Sequence, residues 1–393
     1  MLTSLGFVFL MGLGLGAIFS KLQLPSLIGM MFTGVLLGPY GLGILDQSLL
    51  GISADLRQFA LVIILTRAGL SLDLEDLKKV GRPAVLMCFL PACFEIMGVI
   101  LIAPVVLGIS RVEAAIMGAV LAAVSPAVIV PRMLRCIEEG YGTRASIPQL
   151  ILAGASIDDI FVVVLFTAFT GLAAGRNVEI GSFGQIPISI IVGMMIGIGV
   201  GFLMTWLFKR YHMRDSIKIL IILSISFLLI ALENWLMGII PMSGLLAIMT
   251  LGITLNRKYE ALAVRLSVKY NKLWIAAEVI LFVLVGATVD LNYAMKAGIG
   301  AILVVVGALI IRMLGVYISL LGTQLTTKEK VFCMVAYTPK ATVQAAIGGI
   351  PLSMGLPCGQ LVLTIAVVAI LMTAPFGAMG IDKSYRKLLK KIR

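Results

Sequence analysis

The chain has 393 residues, of which 60% are hydrophobic and 13% are charged. Soluble domains are nearer half apolar and a quarter charged, so this composition excludes a soluble globular protein. A disordered chain, which needs low hydrophobicity and high net charge, is excluded by the same numbers. Because a membrane-spanning helix takes about 20 apolar residues, the chain has room for about thirteen helices joined by short loops. The composition therefore predicts a polytopic helical membrane protein without a soluble domain.

Thirteen apolar segments, bounded by charges, glycine or proline, are candidate membrane spans. They cover residues 4–20, 25–43, 56–72, 82–108, 112–132, 147–174, 186–208, 216–232, 235–255, 273–290, 297–322, 331–350 and 358–380. Their lengths and hydrophobicity predict an all-α fold of about 13 transmembrane helices.

The basic residues predict the orientation of the chain. With thirteen spans, 24 of the 31 lysines and arginines fall on one side of the membrane and four on the other. Loops rich in lysine and arginine face the cytoplasm. We therefore expect a multi-pass protein of the plasma (cell inner) membrane, with its N-terminus outside and a short basic cytoplasmic tail at 381–393. The net charge of +12 follows from this asymmetry, so we expect the lipid bilayer and not nucleic acid as its partner.

The two halves of the chain resemble each other weakly. Residues 65–73 align with 282–290, and the same shift of 217 residues places Glu95 on Arg312. An odd number of spans separates the equivalent segments, so the two copies would cross the membrane in opposite directions. Inverted repeats of this kind are typical of secondary transporters. The predicted organisation is one transporter unit, 1–393, with repeats at about 25–174 and 235–380 joined by the spans at 186–232.

Each repeat contains a proline within an apolar segment. The segments are AAVSPAVIVP, which includes Ser125 and Pro126, and AYTPKATVQAAIGG, which includes Lys340 and Thr342. Proline removes a backbone donor and frees carbonyl groups of the preceding turn. In a membrane such a break is tolerated only where it is buried in protein or lines a cavity. The pattern predicts two broken helices that cross, although a simple proline kink would also explain either segment alone.

Five ionisable residues lie deep in the predicted spans: Glu95, Asp158, Asp159, Arg312 and Lys340. Charged side chains are costly there and must be paired, hydrated or protonated. Three acidic and two basic side chains allow two ion pairs and leave one carboxylate over. The repeat alignment predicts that Glu95 and Arg312 form a structural ion pair between the repeats.

The consecutive residues Asp158 and Asp159 are the predicted binding site for both protons and a transported Na⁺ or Li⁺. A buried carboxylate holds a proton or a small cation, and competition for one site under alternating access is antiport. Hydroxyl groups of Ser125 and Thr342, freed carbonyls and water could complete the coordination of a hard cation. No cofactor is expected. A structural network of buried charges is the other interpretation of the same residues.

Four motifs, in this order, carry a family resemblance: RAGLSLD (67–73), VSPAVIVP (124–131), GASIDD (154–159) and YTPKATVQAAIG (337–348). With them the chain resembles the monovalent cation:proton antiporters, and in particular the sodium/hydrogen antiporter subgroup. The resemblance implies a core domain with crossed broken helices, a dimerisation domain, a homodimer, an elevator-like movement and a role in pH homeostasis. Many electrogenic relatives have lysine where Arg312 stands, and arginine does not readily release its proton, so the stoichiometry stays open.

Three other functions fit parts of the pattern. An intramembrane aspartyl protease, the enzyme alternative, needs two facing aspartates that share a proton, whereas adjacent aspartates on one helix diverge. A bile-acid-type sodium symporter could share the inverted-repeat fold, but Lys340 within PKATVQAAIG argues against it. A channel would need a continuous pore, which counterflow measurements distinguish from an antiporter. The sequence thus favours a transporter over an enzyme, and antiport over symport.

Overall fold

The computed structural model describes residues 1–71, 81–174, 185–236, 240 and 242–391. Within these ranges the regular structure is helical, with one isolated bridge between Tyr141 and Lys391. Some residues on which predictions rest lie outside the described residues. In the predicted repeats they are residues 72–80, 237–239 and 241. The others are Arg176 and residues 392–393 of the predicted tail.

The helices follow the predicted apolar segments in chain order. They are Leu2–Lys21, Ser26–Leu37, Gln47–Gly51, Ser53–Ser71, Arg82–Met87, Leu90–Leu107, Arg111–Ala122, Pro126–Glu138, Ile147–Ala174, Gln185–Arg210, Asp215–Leu236, Gly244–Lys258, Glu260–Ala287, Leu291–Ser319, Thr327–Ala336, Thr342–Ile347, Ile350–Ser353 and Gly359–Leu388, with a 3₁₀ turn at Thr143–Ala145. Each predicted span overlaps one helix or two consecutive helices, except 331–350, which overlaps three.

Nine helical stretches among the described residues are long and apolar enough to cross a membrane. The other predicted spans correspond to shorter or more polar helices. Ser26–Leu37 has 12 residues and Gly244–Lys258 has 15, which corresponds to about 18 and 23 Å of helix. The exact number of thirteen spans therefore stays a prediction.

Two helices are interrupted at the predicted positions. The first broken helix consists of Arg111–Ala122 and Pro126–Glu138, and the second of Thr327–Ala336 and Thr342–Ile347. Both begin with a capping box, in which a hydroxyl and a glutamate satisfy the free backbone donors of the first turn. The capping pairs are Ser110 with Glu113 and Thr326 with Glu329.

The described residues form two compact units. The larger unit comprises those within Met1–Ala54, Leu74–Val162 and Val279–Arg393, and the smaller unit those within Asp55–Asp73 and Val163–Glu278. Both broken helices and all five predicted intramembrane charges belong to the larger unit.

In the larger unit, Leu90–Leu107 and Leu291–Ser319 pack antiparallel through glycines. Gly98 faces Ile311, and Gly315 lies against Phe94, so that added β-carbons would clash at both places. Small residues allow membrane helices to approach closely. This close approach brings together the helices that carry Glu95 and Arg312.

The smaller unit uses the same kind of packing between Gln185–Arg210 and Gly244–Lys258. Gly193, Gly197 and Gly201 recur at every fourth residue, and thus on one face of their helix. They lie against Ser243, Ala247 and Thr254 respectively.

Candidate functional site

The two broken helices cross at their breaks. The backbone N–H of Ser125 donates to the carbonyl of Pro339 at 2.8 Å. The side-chain amide of Gln344 donates to the carbonyls of Leu121 and Ala123, at 3.2 and 2.7 Å. These bonds join the two broken helices directly, at and beside their breaks.

Arg312 satisfies the carbonyl end of the first half of each broken helix. Its Nη1 donates to the carbonyl of Ala122, and its Nε donates to the carbonyl of Tyr337 at 3.0 Å. Helix C-termini carry partial negative charge and leave carbonyls without intrahelical partners. A guanidinium, with its fixed fork of donors, meets both needs, and here it is fully buried.

The same guanidinium forms the centre of a buried ion cluster. Arg312 Nη1 lies 2.8 Å from Glu95 Oε2, and Arg312 Nη2 lies 3.0 Å from Asp158 Oδ2. Lys340 Nζ lies 2.8 Å from the same Glu95 oxygen. The four side chains are at most 1% exposed. Their two positive and two negative charges cancel within the cluster.

Lys340 therefore pairs with Glu95. It is Arg312 that contacts Asp158. The physical reason is side-chain shape, since a planar guanidinium reaches two carboxylates at once while an ammonium acts as a compact point charge.

The two aspartates have different surroundings. Asp158 is fully buried, and its Oδ2 also accepts a hydrogen bond from the backbone N–H of Val124 at 2.9 Å. Asp159 is 9% exposed. Within the described part of the chain Asp159 has no ion pair, and the Oδ1 atoms of both aspartates lack hydrogen-bond partners. Asp159 is thus the carboxylate left over once the other four charges are paired.

Two hydroxyl groups at the crossing are further candidate oxygen ligands. Ser125 and Thr342 are buried, and among the described residues their hydroxyls have no hydrogen-bond partner. Pro126 starts the second half of the first broken helix, where its missing N–H costs nothing. The freed carbonyls of residues 121–123 already accept hydrogen bonds from Gln344 and Arg312, whereas the two hydroxyls are unoccupied acceptors.

The candidate donors for a cation are carboxylate and hydroxyl oxygens. No group of three or more His, Cys, Asp or Glu side chains that could hold a metal occurs among the described residues. Carboxylate and hydroxyl oxygens are hard ligands, and few negative ligands give weak binding.

A comparison with known families decides between the functions that the geometry allows. The sequence pattern described as "Sodium/hydrogen exchanger, transmembrane" matches residues 6–381. The chain belongs to the sodium/hydrogen exchanger family. Membership in this family of transporters favours antiport over bile-acid-type symport and over an enzyme.

Curated relatives align with nearly the whole chain. Sodium/hydrogen exchanger 9B2 of Homo sapiens is 31% identical over 386 residues, which cover 94% of this chain and 70% of the relative. The protein of the same name from Xenopus tropicalis is 30% identical, with 96% and 72% covered.

A solved structure of another protein has the same fold. The sodium proton antiporter MjNhaP1 from Methanocaldococcus jannaschii superposes with a TM-score of 0.82 at 20% identity, over 98% of both chains. The prediction of an all-α polytopic membrane protein is confirmed by this match.

Sequence reasoning missed two residues at the crossing of this sodium/hydrogen exchanger. Gln344 donates hydrogen bonds to the first broken helix. The guanidinium carbon of Arg312 lies over the Tyr337 ring, 5.5 Å from the ring centroid. Gln344 is a neutral polar residue within an apolar segment, and that position is the signal that could have identified it.

Proposed function

We propose that this chain exchanges Na⁺ or Li⁺ for H⁺ across the plasma membrane, by alternating access to a site formed by Asp158 and Asp159. The observation that carries the proposal is the unpaired carboxylate of Asp159 beside a balanced ion cluster. Membership in the sodium/hydrogen exchanger family supports the same activity.

Charge balance explains why such a site would exchange ions. Arg312 and Lys340 are offset by Glu95 and Asp158, so Asp159 adds one uncompensated negative charge. An uncompensated charge surrounded by membrane is costly. The site therefore switches from one side of the membrane to the other most easily when Asp159 holds either a proton or a monovalent cation. Binding of one of these ligands excludes the other.

The neighbouring oxygens define the proposed cation ligands. Asp159 supplies the principal negative charge, and Asp158 contributes its unpartnered Oδ1. The buried hydroxyls of Ser125 and Thr342, together with water, provide neutral ligands of the kind that hard cations accept. Lys340 and Pro126 support the site, the first by holding Glu95 and the second by starting the half-helix next to Ser125.

The mode of transport is proposed from the family resemblance. All proposed site residues lie in the larger unit, which is consistent with an elevator-like movement of a site-bearing domain. The equivalent capping boxes of the two broken helices support the inverted repeats at 25–174 and 235–380. We further propose a homodimer with an outside N-terminus and a cytoplasmic tail, which crosslinking and labelling of single-cysteine variants would test.

Proteoliposomes with an imposed pH gradient test the exchange itself. Addition of Na⁺ or Li⁺ should collapse the gradient, and K⁺ serves as the comparison cation. Absence of a response to all three between pH 6 and 9 would overturn the proposal.

Aspartate variants test the site separately from the activity. Asp159→Asn should abolish exchange because it keeps the size of the side chain but removes the charge for which protons and cations compete. Asp158→Asn should abolish or greatly weaken exchange, since it also deprives Arg312 of a partner. Asp55→Asn, at an exposed position of the smaller unit, is the matched control and should transport normally. Near-normal exchange by both site variants would place the site elsewhere.

A further inference from the structure

One peptide group at the crossing is bonded at both its ends. The carbonyl of Ala123 accepts a hydrogen bond from Gln344 Nε2 at 2.7 Å. The N–H of Val124, which belongs to the same peptide group, donates to Asp158 Oδ2 at 2.9 Å. A single rigid amide plane thus lies between the Gln344 side chain and one of the two aspartates.

The Gln344 side chain is held firmly enough to orient that plane. It is 0% exposed and lies in the short helix Thr342–Ile347. A second bond from its Nε2 reaches the carbonyl of Leu121 at 3.2 Å. Two acceptors for one NH₂ group fix the amide rotamer. Loss of these partners would cost free energy, because a buried amide cannot replace them with water.

Two physical effects pass from Gln344 to Asp158 through this peptide. The first is orientation, because the planar peptide bond aims the Val124 N–H wherever the Ala123 carbonyl is held. The second is polarisation, because a carbonyl that accepts a hydrogen bond makes the N–H of the same amide a better donor in a low-dielectric interior. A better donor favours the ionised form of the carboxylate that it contacts.

We propose that Gln344 is a positioning residue for cation binding, acting on Asp158 through the peptide group between Ala123 and Val124. It does so without serving as a ligand of the transported cation. This inference rests on the proposed function, since it assumes that Asp158 takes part in binding.

Other bonds hold the rest of the crossing independently of Gln344. The preceding carbonyl, that of Ala122, accepts from Arg312, and the following N–H, that of Ser125, donates to Pro339. A variant that removes only the Gln344 donor should therefore keep the crossing and lose control of the intervening peptide. This makes its effect on binding separable from an effect on folding.

The test compares Gln344→Met with the wild type in proteoliposomes. Methionine is similar in length but has no N–H to donate. We expect the apparent KM for Na⁺ to rise about threefold to tenfold, the effect of losing one net hydrogen bond, with a much smaller change in the maximal rate. The pH–activity profile should move to more alkaline values, because the ionised form of Asp158 is less favoured. Gln324→Met, in an exposed loop, is the matched control and should change neither.

A second variant keeps the test informative if methionine disturbs folding. Gln344→Glu preserves length, and its protonated carboxyl can donate one O–H to the Ala123 carbonyl, whereas its ionised form cannot donate. Its KM for Na⁺ should therefore stay close to that of the wild type at the acidic end of the profile and rise toward the alkaline end.

The outcomes separate this inference from the proposed function. A folded Gln344→Met protein with unchanged KM and pH profile would overturn the role of Gln344. A loss of maximal rate at every pH, with KM unchanged, would also overturn it, because that result indicates a structural role only. Normal exchange by both Asp158→Asn and Asp159→Asn would instead contradict the proposed site itself. If Asp158→Asn is inactive and Gln344→Met transports like the wild type, the proposed site stands and only the role of Gln344 is rejected.

Discussion

Arg312 donates from its Nη2 to Asp158 across 3.0 Å, although the two residues are 154 positions apart in the chain. The repeat alignment had related Arg312 to Glu95, and that contact is also present, at 2.8 Å. Repeat symmetry relates equivalent positions only, so it carried no information about a contact to a third helix. Because one guanidinium holds both carboxylates, a substitution at Arg312 affects the ion cluster and the proposed transport site together.

Arg312→Gln should reduce both stability and exchange. It leaves Asp158 without its ion-pair partner, and breaking a buried pair costs about 3–5 kcal/mol. Thermal unfolding in detergent measures the stability, and the proteoliposome assay measures the exchange. Arg265→Gln is the control, because Arg265 forms an exposed pair with Asp215 at 3.2 Å and such pairs contribute about 0–1 kcal/mol.

The double variant Glu95→Gln with Arg312→Gln tests the coupling between the partners. Its loss of stability should be smaller than the sum of the two single losses, because either single change already removes the contact between Arg312 and Glu95. Exchange should not recover, since Asp158 still lacks Arg312. Strict additivity of the stability changes would mean that the observed contact carries no coupling energy.

Lys340→Ala should be less damaging to stability than Arg312→Gln. Glu95 loses one of its two cationic partners but keeps Arg312. The pH–activity profile should nevertheless move to more alkaline values, because removal of a positive charge makes ionised carboxylates at the site less favourable. Lys328→Ala, at an exposed position, provides the comparison. An unchanged or acid-shifted profile in a folded Lys340→Ala protein would contradict this expectation.

The predictable parts of the site were those that stand out against an apolar background. Asp158, Asp159 and Lys340 are visible because ionised side chains are rare in membrane spans, and the breaks are visible because proline interrupts helices. The pairing of the charges was less predictable. Lys340 and Arg312 carry the same charge and differ in the length of the side chain and in the arrangement of its donors. The role suggested for Gln344 was hidden because it acts through a backbone group, and hydropathy patterns contain no information on the orientation of a peptide plane.

Glu139 links the C-terminal segment to the end of the first broken helix, and this link should depend on pH. Its carboxylate accepts from Tyr385 Oη at 2.8 Å, Arg135 Nε at 2.9 Å and Arg386 Nη2 at 3.1 Å. The Tyr385 hydroxyl first, and then Arg135, hold the pKa of Glu139 below its ordinary value. A lowered pKa in the folded state means that the ionised group contributes stability above the unfolded pKa, which is about 4.3. That contribution is lost as the pH falls through the folded pKa.

Thermal unfolding as a function of pH measures this contribution. Glu139→Gln should unfold at a lower temperature than the wild type at neutral pH, and the difference should shrink as the pH falls below about 4. Glu138→Gln, at the exposed neighbouring position, should differ little from the wild type throughout. A difference between Glu139→Gln and the wild type that persists unchanged into acid would show that charge is not its cause.

Gly154 should be intolerant of even a methyl group, because the Tyr337 hydroxyl occupies the place where its β-carbon would stand. Tyr337 is 1% exposed and directly follows the first half of the second broken helix, so it cannot swing into solvent. Gly154→Ala should lower the stability by about 1–3 kcal/mol, the usual cost of overpacking, and reduce exchange by displacing the helix that carries Asp158. Gly171→Ala lies on the same helix in open space, and should be neutral or slightly stabilising.

Tyr337→Phe removes the clashing hydroxyl, so the pair Gly154→Ala with Tyr337→Phe should regain part of the lost unfolding temperature and transport. Equal effects of alanine at 154 and 171, or no recovery in the double variant, would mean that the contact between Gly154 and Tyr337 does not set the position of this helix.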